Sequence, residues 1–262
     1  MIAWPAILER GAEIVDSYSS GVTLRQLFYR LVAEGLIPNN LTAYKTLSSR
    51  TAAARREADF PDLVDNTRQI HRPLFFDDAD DARKTMRSWF RLDRQKTQEK
   101  QVWVAVEKDT LAGLVSGWLE EWGVPVIVAR GYPSQTYVDT IREEVDADGR
   151  PTVLIYVGDL DPSGEDIDRD LVERCACFEG VTRVAVLPEH VKRFKLSPAP
   201  GKPKDARAAG FIERHGKLFQ VEVEALDPDD LERIIMQAVG EEVDKSAVDE
   251  VRELEGEEKA KL

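Results

Sequence analysis

The chain has 262 residues, enough for two modest domains that each build a core. Its 42% hydrophobic and 32% charged residues are typical of a soluble globular protein. No apolar run approaches the ~20 residues that span a bilayer, and the first residues lack the basic and apolar regions of a signal peptide. Only two cysteines occur, Cys175 and Cys177, so we expect a cytoplasmic protein without a structural disulfide or a zinc site.

The net charge of −13 is spread unevenly along the chain. Residues 1–100 carry 16 Lys and Arg against 14 Asp and Glu, whereas residues 101–262 carry 20 against 35. Contacts with phosphate are therefore expected in the first hundred residues. The remainder ends in an acidic tail over residues 241–262. The acidity of residues 101–262 argues against non-specific binding to DNA over the whole surface, and it suits a site that gathers divalent cations.

Three helices are predicted in the first sixty residues. Residues 3–18 have apolar side chains at helical spacing. Thr23 is suited to cap a second helix over residues 24–34, and Thr42 is expected to cap a third, basic helix that ends near Ala58. The short connection between the second and third helices favours a helix-turn-helix domain whose third helix is the recognition helix. A three-helix bundle with a solvated basic face is the alternative.

Another helix is predicted to start at residues 77–78, within a linker over residues 73–100, and from Gln101 the pattern changes. Short apolar runs alternate with amphipathic helical segments, which predicts βαβ units and an α/β domain with a mainly parallel sheet over residues 101–240. The sequence contains neither a glycine-rich dinucleotide motif nor a P-loop. The four predicted strands cover residues 102–106, 124–128, 152–158 and 181–187.

Acidic residues follow two of these strands. Asp159 and Asp161 come at the carboxyl end of the third strand, where open α/β sheets hold their ligands, and a strand period of two directs both to one side. Glu107 ends the first strand. Because neighbouring parallel strands end side by side, the three carboxylates can converge on one Mg²⁺, which prefers oxygen ligands. For the Asp pair alone, solvated turn residues are the alternative.

The second predicted helix contains Tyr29, with Arg25 one turn earlier. A phenol with a pKa near ~10 is a poor nucleophile unless a cation or a base assists it. Arg25 lies on the same side of the helix and can stabilise a phenolate or hold a phosphate. From this pattern alone, a tyrosine that packs on an amphipathic helix is the favoured interpretation.

Several motifs resemble the A subunit of topoisomerase VI and its relative that makes meiotic double-strand breaks. Glu107 followed by Gly-Asp-Leu-Asp-Pro-Ser-Gly at residues 158–164 resembles the Toprim domain of topoisomerases and primases. Arg-Gly-Tyr-Pro at residues 130–133 resembles the family's sequence after the second strand. So does Val-Glu-Val-Glu-Ala-Leu-Asp-Pro at residues 221–228, which Lys-Asp at residues 204–205 precedes.

The family's nucleophilic tyrosine lies in the form Arg-x-aliphatic-aromatic-Tyr, which Arg25-Gln-Leu-Phe-Tyr29 matches. The resemblance covers about residues 20–240 and implies a winged-helix domain, over residues 1–72, before the Toprim domain. It also implies that Tyr29 attacks a DNA phosphodiester while Arg25 stabilises the developing charge. Mg²⁺, or Mn²⁺, would be held by three acids, namely Glu107, Asp159 and Asp161.

The resemblance further implies a homodimer on double-stranded DNA, in which the tyrosine of one subunit faces the acids of the other. The sequence has no ATPase motif, so strand passage would need a separate ATPase subunit. Two alternatives remain open, a DNA-binding protein that keeps the fold without cleaving and a Toprim nuclease that uses water. The candidate contacts with the DNA backbone are Lys45, Arg50, Arg55, Arg56 and Arg68.

Overall fold

The computed structural model describes residues 3–18, 21–65 and 73–262. Within these ranges four helices precede the first strand, and the prediction of helices in this part of the chain is confirmed. They are α1 (Trp4–Asp16), α2 (Leu24–Ala33), α3 (Leu41–Arg56) and α4 (Ala79–Trp89). The sequence places a wing or a strap over residues 62–72, of which residues 66–72 lie outside the described residues. Just before them, Thr23 and Val64 form a parallel bridge.

The predicted helix caps were right for α2 and wrong for α3. Thr23 and Gln26 form a reciprocal capping box, in which each side chain accepts a hydrogen bond from the other's backbone N–H. Helix α3 begins earlier than expected, because Asn40 and not Thr42 is its N-cap. The Asn40 side chain accepts from the Ala43 N–H at 2.9 Å, and asparagine is the stronger capping residue of the two.

Helices α1 to α3 share one hydrophobic core, which includes Ile14, Leu27, Leu31, Leu47 and Phe60. All five side chains are buried, and three of them are fully enclosed. Helix α4 differs, since none of its residues is buried. The apolar periodicity therefore predicted the position of α4 but not the environment of its apolar face.

The second part of the chain is an α/β fold around a four-stranded parallel sheet of order β2-β1-β3-β4. The predicted parallel sheet is thus confirmed. Strand β1 lies in the middle, where Val106 is the register partner of Val157 on β3. The strands are β1 (Gln101–Val106), β2 (Val126–Val128), β3 (Thr152–Val157) and β4 (Gly180–Ala185).

Helices cover both faces of this sheet, as expected for buried parallel strands. Alternate side chains of β1 serve two cores: Val104 joins a cluster with residues of α5, whereas Trp103 joins a cluster with residues of α6 and α7. The helices between the strands are α5 (Asp109–Leu119), α6 (Gln135–Asp148) and α7 (Pro162–Cys175).

The segments after β4 complete the first of these cores. An isolated bridge joins Leu160, just after β3, to Val221, and so brings the segment around Glu222 to the strand ends. The acidic tail contains a packed helix, in which Val248 and Val251 are buried. The remaining elements are α8 (Pro188–Arg193), β5 (Ala199–Pro200), α9 (Ala208–His215), β6 (Phe219–Gln220), α10 (Pro228–Glu242) and α11 (Lys245–Lys259).

Within the described ranges, no helix has both the length and the apolar character that a membrane crossing requires.

Candidate functional site

Glu107 and Asp159 are neighbours at the carboxyl edge of the sheet. The pairing of Val106 with Val157 aligns the ends of β1 and β3. The Asp159 N–H then donates to Glu107 Oε2 at 2.8 Å. Asp161 follows as the N-cap of α7, where its Oδ1 accepts from the Gly164 N–H at 2.7 Å. The three predicted acids therefore lie in adjoining positions, each held by a backbone N–H.

The environment of Glu107 and Asp159 opposes their ionisation. Burial, followed by the nearby Asp159 and then Asp161, raises the pKa of Glu107 to about 7. Burial also raises the pKa of Asp159, although the Lys108 ammonium and the Val223 N–H act in the opposite direction. Carboxylates in this state gain from a cation that neutralises them.

Glycine is required beside Glu107 because the chain passes very close to its carboxylate. A Cβ at Gly158 would lie 2.7 Å from Glu107 Oε2 and 2.6 Å from the Tyr156 ring. A Cβ at Gly164 would lie 3.0 Å from the same oxygen and collide with the Asp159 carbonyl. The glycines of the Gly-Asp-Leu-Asp-Pro-Ser-Gly motif thus leave room around this carboxylate.

The donor chemistry of this edge fits a hard divalent cation, since all three side chains offer oxygen. In the described part of the chain, however, no three Asp, Glu, His or Cys side chains are arranged as a metal-ligand set. Asp159 Oδ1 lies 3.1 Å from the Nζ of Lys108. An internal ammonium therefore stands beside the acid that was predicted to hold the metal.

Lys108 also connects this edge to a second group of acids. Its Nζ donates to Glu222 at 2.7 Å and to Glu224 at 3.2 Å. Glu224 is almost fully buried and accepts from Thr110 Oγ1 at 3.1 Å. Burial raises the pKa of Glu222, but Lys108 and Arg25 outweigh it and bring the pKa to about 2. Both cations thus hold Glu222 ionised.

Helix α2 reaches the same group from the other side. Arg25 pairs with Glu222, and its Nε lies 2.8 Å from Glu224. Tyr29, one turn later and half-buried, interacts with both Glu222 and Arg25. Burial, and next the Glu222 carboxylate, raise the pKa of the Tyr29 phenol far above its usual value. The predicted tyrosine therefore lies in a polar network that runs through Lys108 to Asp159 within one chain.

A second contact fixes α2 against the sheet domain. Arg30 Nη1 lies 3.2 Å from the carboxylate of Asp227, which is the N-cap of α10. The Tyr18 hydroxyl donates to the same carboxylate. Because Asp227 belongs to the 221–228 motif, that one segment receives both Arg25 and Arg30.

An open cleft of about 470 Å³ lies between the helical part and the sheet domain. Arg25 and Tyr29 form part of one wall, and Glu222 and Gln220 contribute to the opposite wall. Asn40, which caps α3, lines the cleft as well. The cleft therefore joins the predicted nucleophile to the helix that was expected to contact DNA.

The predicted DNA contacts are only partly assembled. Lys45, Arg55 and Arg56 share one side of α3 by helical spacing. Arg50 lies on the opposite side, where its guanidinium is 5.1 Å from the centre of the Trp4 ring. Arg68 lies outside the described residues.

The Arg-Gly-Tyr-Pro motif lies beside α7 rather than in the Tyr29 cleft. The Tyr132 hydroxyl contacts Asp166 on α7 and Arg207, which precedes α9. Arg130 is exposed and pairs with Asp109 at 2.5 Å. Within the described residues, this motif links the loops around the strand ends.

Sequence reasoning assigned no role to Lys108, Glu222 or Glu224. A signal was present, because Lys108 directly follows Glu107 and the two glutamates alternate with valine in the 221–228 motif. No family model matches the chain, and no curated protein matches it significantly.

Proposed function

We propose that this chain is a DNA-binding transesterase similar to the topoisomerase VI A subunit, with a winged-helix domain before a Toprim domain. The observation that supports it most is the network from Tyr29 through Glu222 and Lys108 to Asp159. Together with Arg25, which pairs with Glu222, it connects a candidate nucleophile, two cations and the acids at the strand ends. These are the groups that a phosphoryl transfer to tyrosine uses.

In the proposed reaction, the Tyr29 oxygen attacks a DNA phosphorus atom. A phosphotyrosyl bond forms, the bond from phosphorus to the sugar oxygen breaks, and that oxygen takes a proton from water. The phenolic proton passes to water, because a Glu222 carboxylate with a pKa of about 2 is too weak a base to take it from Tyr29. Arg25, within reach of both, transfers one of its contacts to the phosphate and stabilises its charge.

Glu107, Asp159 and Asp161 would hold Mg²⁺ or Mn²⁺ in this proposal. The metal would supply neutralisation of the phosphate's charge. The chain's own residues orient the acids, through the Asp159 N–H on Glu107 and the Gly164 N–H on Asp161.

Double-stranded DNA is the proposed substrate, and Lys45, Arg55 and Arg56 on α3 are its proposed backbone contacts. Such contacts position a duplex without reading its sequence. We place the reaction in a homodimer, with any strand passage dependent on a separate ATPase subunit.

The test uses supercoiled plasmid with Mg²⁺ or Mn²⁺, stopped with detergent and analysed with and without protease. The native chain is expected to give breaks that carry protein, and Tyr29→Phe is expected to lose at least ~10³-fold of them. Tyr44→Phe is the matched control. Tyr44 lines the same cleft and contacts Phe28 with ring centres 5.3 Å apart, and its variant should cleave normally.

A mixing experiment determines whether the tyrosine and the acidic residues of one site come from the same chain or from two chains. Tyr29→Phe and Asp161→Asn are inactive separately in this proposal. If the tyrosine of one copy works with the acids of the other, an equal mixture regains nicking at one site per dimer. No regained activity would assign both halves to the same chain.

Two alternatives have specific support. The high pKa of the Tyr29 phenol favours a nuclease in which water attacks and Tyr29 is structural. Breaks free of protein that survive Tyr29→Phe would establish it. The Lys108 ammonium beside Asp159 favours a DNA-binding protein that does not cleave. Binding without breaks in either metal would support that function.

A further inference from the structure

Helix α4 has an apolar face that the rest of the described chain leaves open. None of its residues is buried, and Met86 and Trp89 are 61% and 62% exposed. With Phe76, Ala82 and Phe90 they line a groove of about 400 Å³. A helix of 11 residues is marginal in water unless its apolar face is covered. Among the described residues, the groove is therefore open to an occupant.

The charges around α4 indicate which occupant fits. Residues 77–81 contain four aspartates and no base, and residues 83–91 contain four Lys and Arg and no acid. In an antiparallel pair of two such helices, each acidic end lies beside the basic end of the other, and the helix dipoles are also opposed. A parallel pair would place acid beside acid. The pattern is self-complementary in one orientation.

The exposed apolar surface is large enough for such a pair. Leu74 and Phe75, just before the groove, are 56% and 81% exposed and extend the patch. With Phe76, Met86 and Trp89 they offer on the order of 600 Å² per copy, and a pair would bury twice that area, which reaches the lower end of specific interfaces. Four aspartates at one end argue against an anionic membrane as the occupant.

We infer that α4 is a homodimer interface, in which two copies of the chain pack their α4 helices antiparallel about a twofold axis. The apolar groove forms the centre of the contact, and the segregated charges form its rim and set its orientation. The inference rests on residues 74–91 alone. It does not depend on the proposed DNA chemistry, which calls for a dimer without specifying the surface that forms it.

Sedimentation equilibrium of the full chain tests the interface. The native chain is expected at twice its mass of 29.5 kDa. Met86→Glu should weaken the dimer by ~30-fold or more, because it places a charge in the centre of the contact. Leu254→Glu is the matched control. Leu254 is 49% exposed on α11, so the same change should leave the dimer intact.

A charge exchange tests whether the charges around the groove direct the pairing, and it guards against misfolding. One variant carries Arg83→Glu, Lys84→Glu and Arg87→Glu. The other carries Asp77→Lys, Asp80→Lys and Asp81→Lys, and keeps the N-cap Asp78. Each is expected to be monomeric alone, and an equal mixture is expected to form a heterodimer.

Three results would overturn the inference: a monomeric native chain, a dimer that Met86→Glu leaves unchanged, or a mixture of the charge variants that stays monomeric. A monomeric native chain that sediments with phosphatidylcholine–phosphatidylserine vesicles would assign the face to lipid instead. A dimer that fails to cleave plasmid leaves this interface standing and counts against the proposed function only. Cleavage of plasmid by the monomeric Met86→Glu variant would support the proposed function and show that it does not need this interface.

Discussion

Helices α2 and α4 have nearly equal length, 10 and 11 residues, yet they lie in opposite environments. Helix α2 buries five residues and directs Arg25 into the acids of the sheet domain. Helix α4 buries none and exposes Trp89. Periodicity gives a helix an apolar face, but other elements decide whether that face is covered. The difference separates a helix that belongs to an internal site from one that presents an outer surface.

The largest expected effect tests the charge network under α2. Lys108→Met leaves three buried or partly buried carboxylates, those of Asp159, Glu222 and Glu224, without their shared cation. Loss of one partner from such a group costs about 4 kcal/mol of unfolding free energy. Urea denaturation measures it.

Lys84→Met on α4 is the control for this change. Lys84 lies on the exposed helix, so the same substitution should change the unfolding free energy by less than ~0.5 kcal/mol at a concentration where the chain is monomeric. Added Mg²⁺ should restore part of the Lys108→Met loss, because a cation can replace the ammonium beside Asp159. If both variants lost the same unfolding free energy, the contrast between the buried network under α2 and the exposed helix α4 would be wrong.

The next effect compares the apolar faces directly. Leu27→Ala on α2 removes a fully buried side chain and should cost about 3 kcal/mol of unfolding free energy. Met86→Ala on α4 should cost less than ~0.5 kcal/mol when measured at a concentration where the chain is monomeric. A large loss from Met86→Ala in the dilute chain would mean that α4 is packed within its own chain.

Much of the fold could be predicted because strand and helix periods alternate clearly between residues 101 and 185. The pairing of β1 with β3, and with it the proximity of Glu107 to Asp159, followed from the rule that parallel strand ends adjoin. The N-cap of α3 was wrong by two residues because Asn40 and Thr42 both suit that position. Cap chemistry ranks candidates but does not exclude the weaker one.

The charge network could not be predicted from the sequence. Lys108 and Glu222 are 114 positions apart, and their contact depends on the Leu160–Val221 bridge. Arg25 reaches Glu222 only because α2 docks on the sheet domain. Such pairs carry no local signal, since each residue alone has the pattern of a solvated charge.

Acid should weaken the α2 contact by a moderate amount. Lys108 and Arg25 outweigh burial and lower the pKa of Glu222 to about 2 from 4.5. A depressed folded-state pKa stabilises the protein above the unfolded value, and this contribution is lost as the pH falls from 4.5 towards 2. It amounts to about 2 kcal/mol after allowance for partial exposure.

Glu222→Gln reveals this contribution. The Tm of the variant should lie below that of the native chain at pH 6, and the difference should shrink as the pH is lowered to 3. Glu255 also has a pKa lowered to about 2, so acid should still destabilise the variant to some extent. A difference that stays constant between the two pH values would show that Glu222 gains nothing from its ionised contacts.

The smallest effect concerns the helix caps, and it distinguishes the two helices by where the loss is felt. Thr23 caps α2, and Asp78 caps α4 by accepting from the Asp81 N–H at 2.8 Å. Replacing either by alanine removes about 1 kcal/mol. In α2 the loss should lower the Tm, because its unfolding breaks the core around Leu27 and Leu31.

In α4 the same loss should leave the Tm of the monomeric chain unchanged and appear as faster amide hydrogen exchange over residues 79–89. The reason is that α4 can unfold without exposing any buried side chain, so its local equilibrium is separate from global unfolding. Dimer formation should slow this exchange if α4 is the interface. Exchange that is independent of protein concentration would argue that nothing covers α4 in solution.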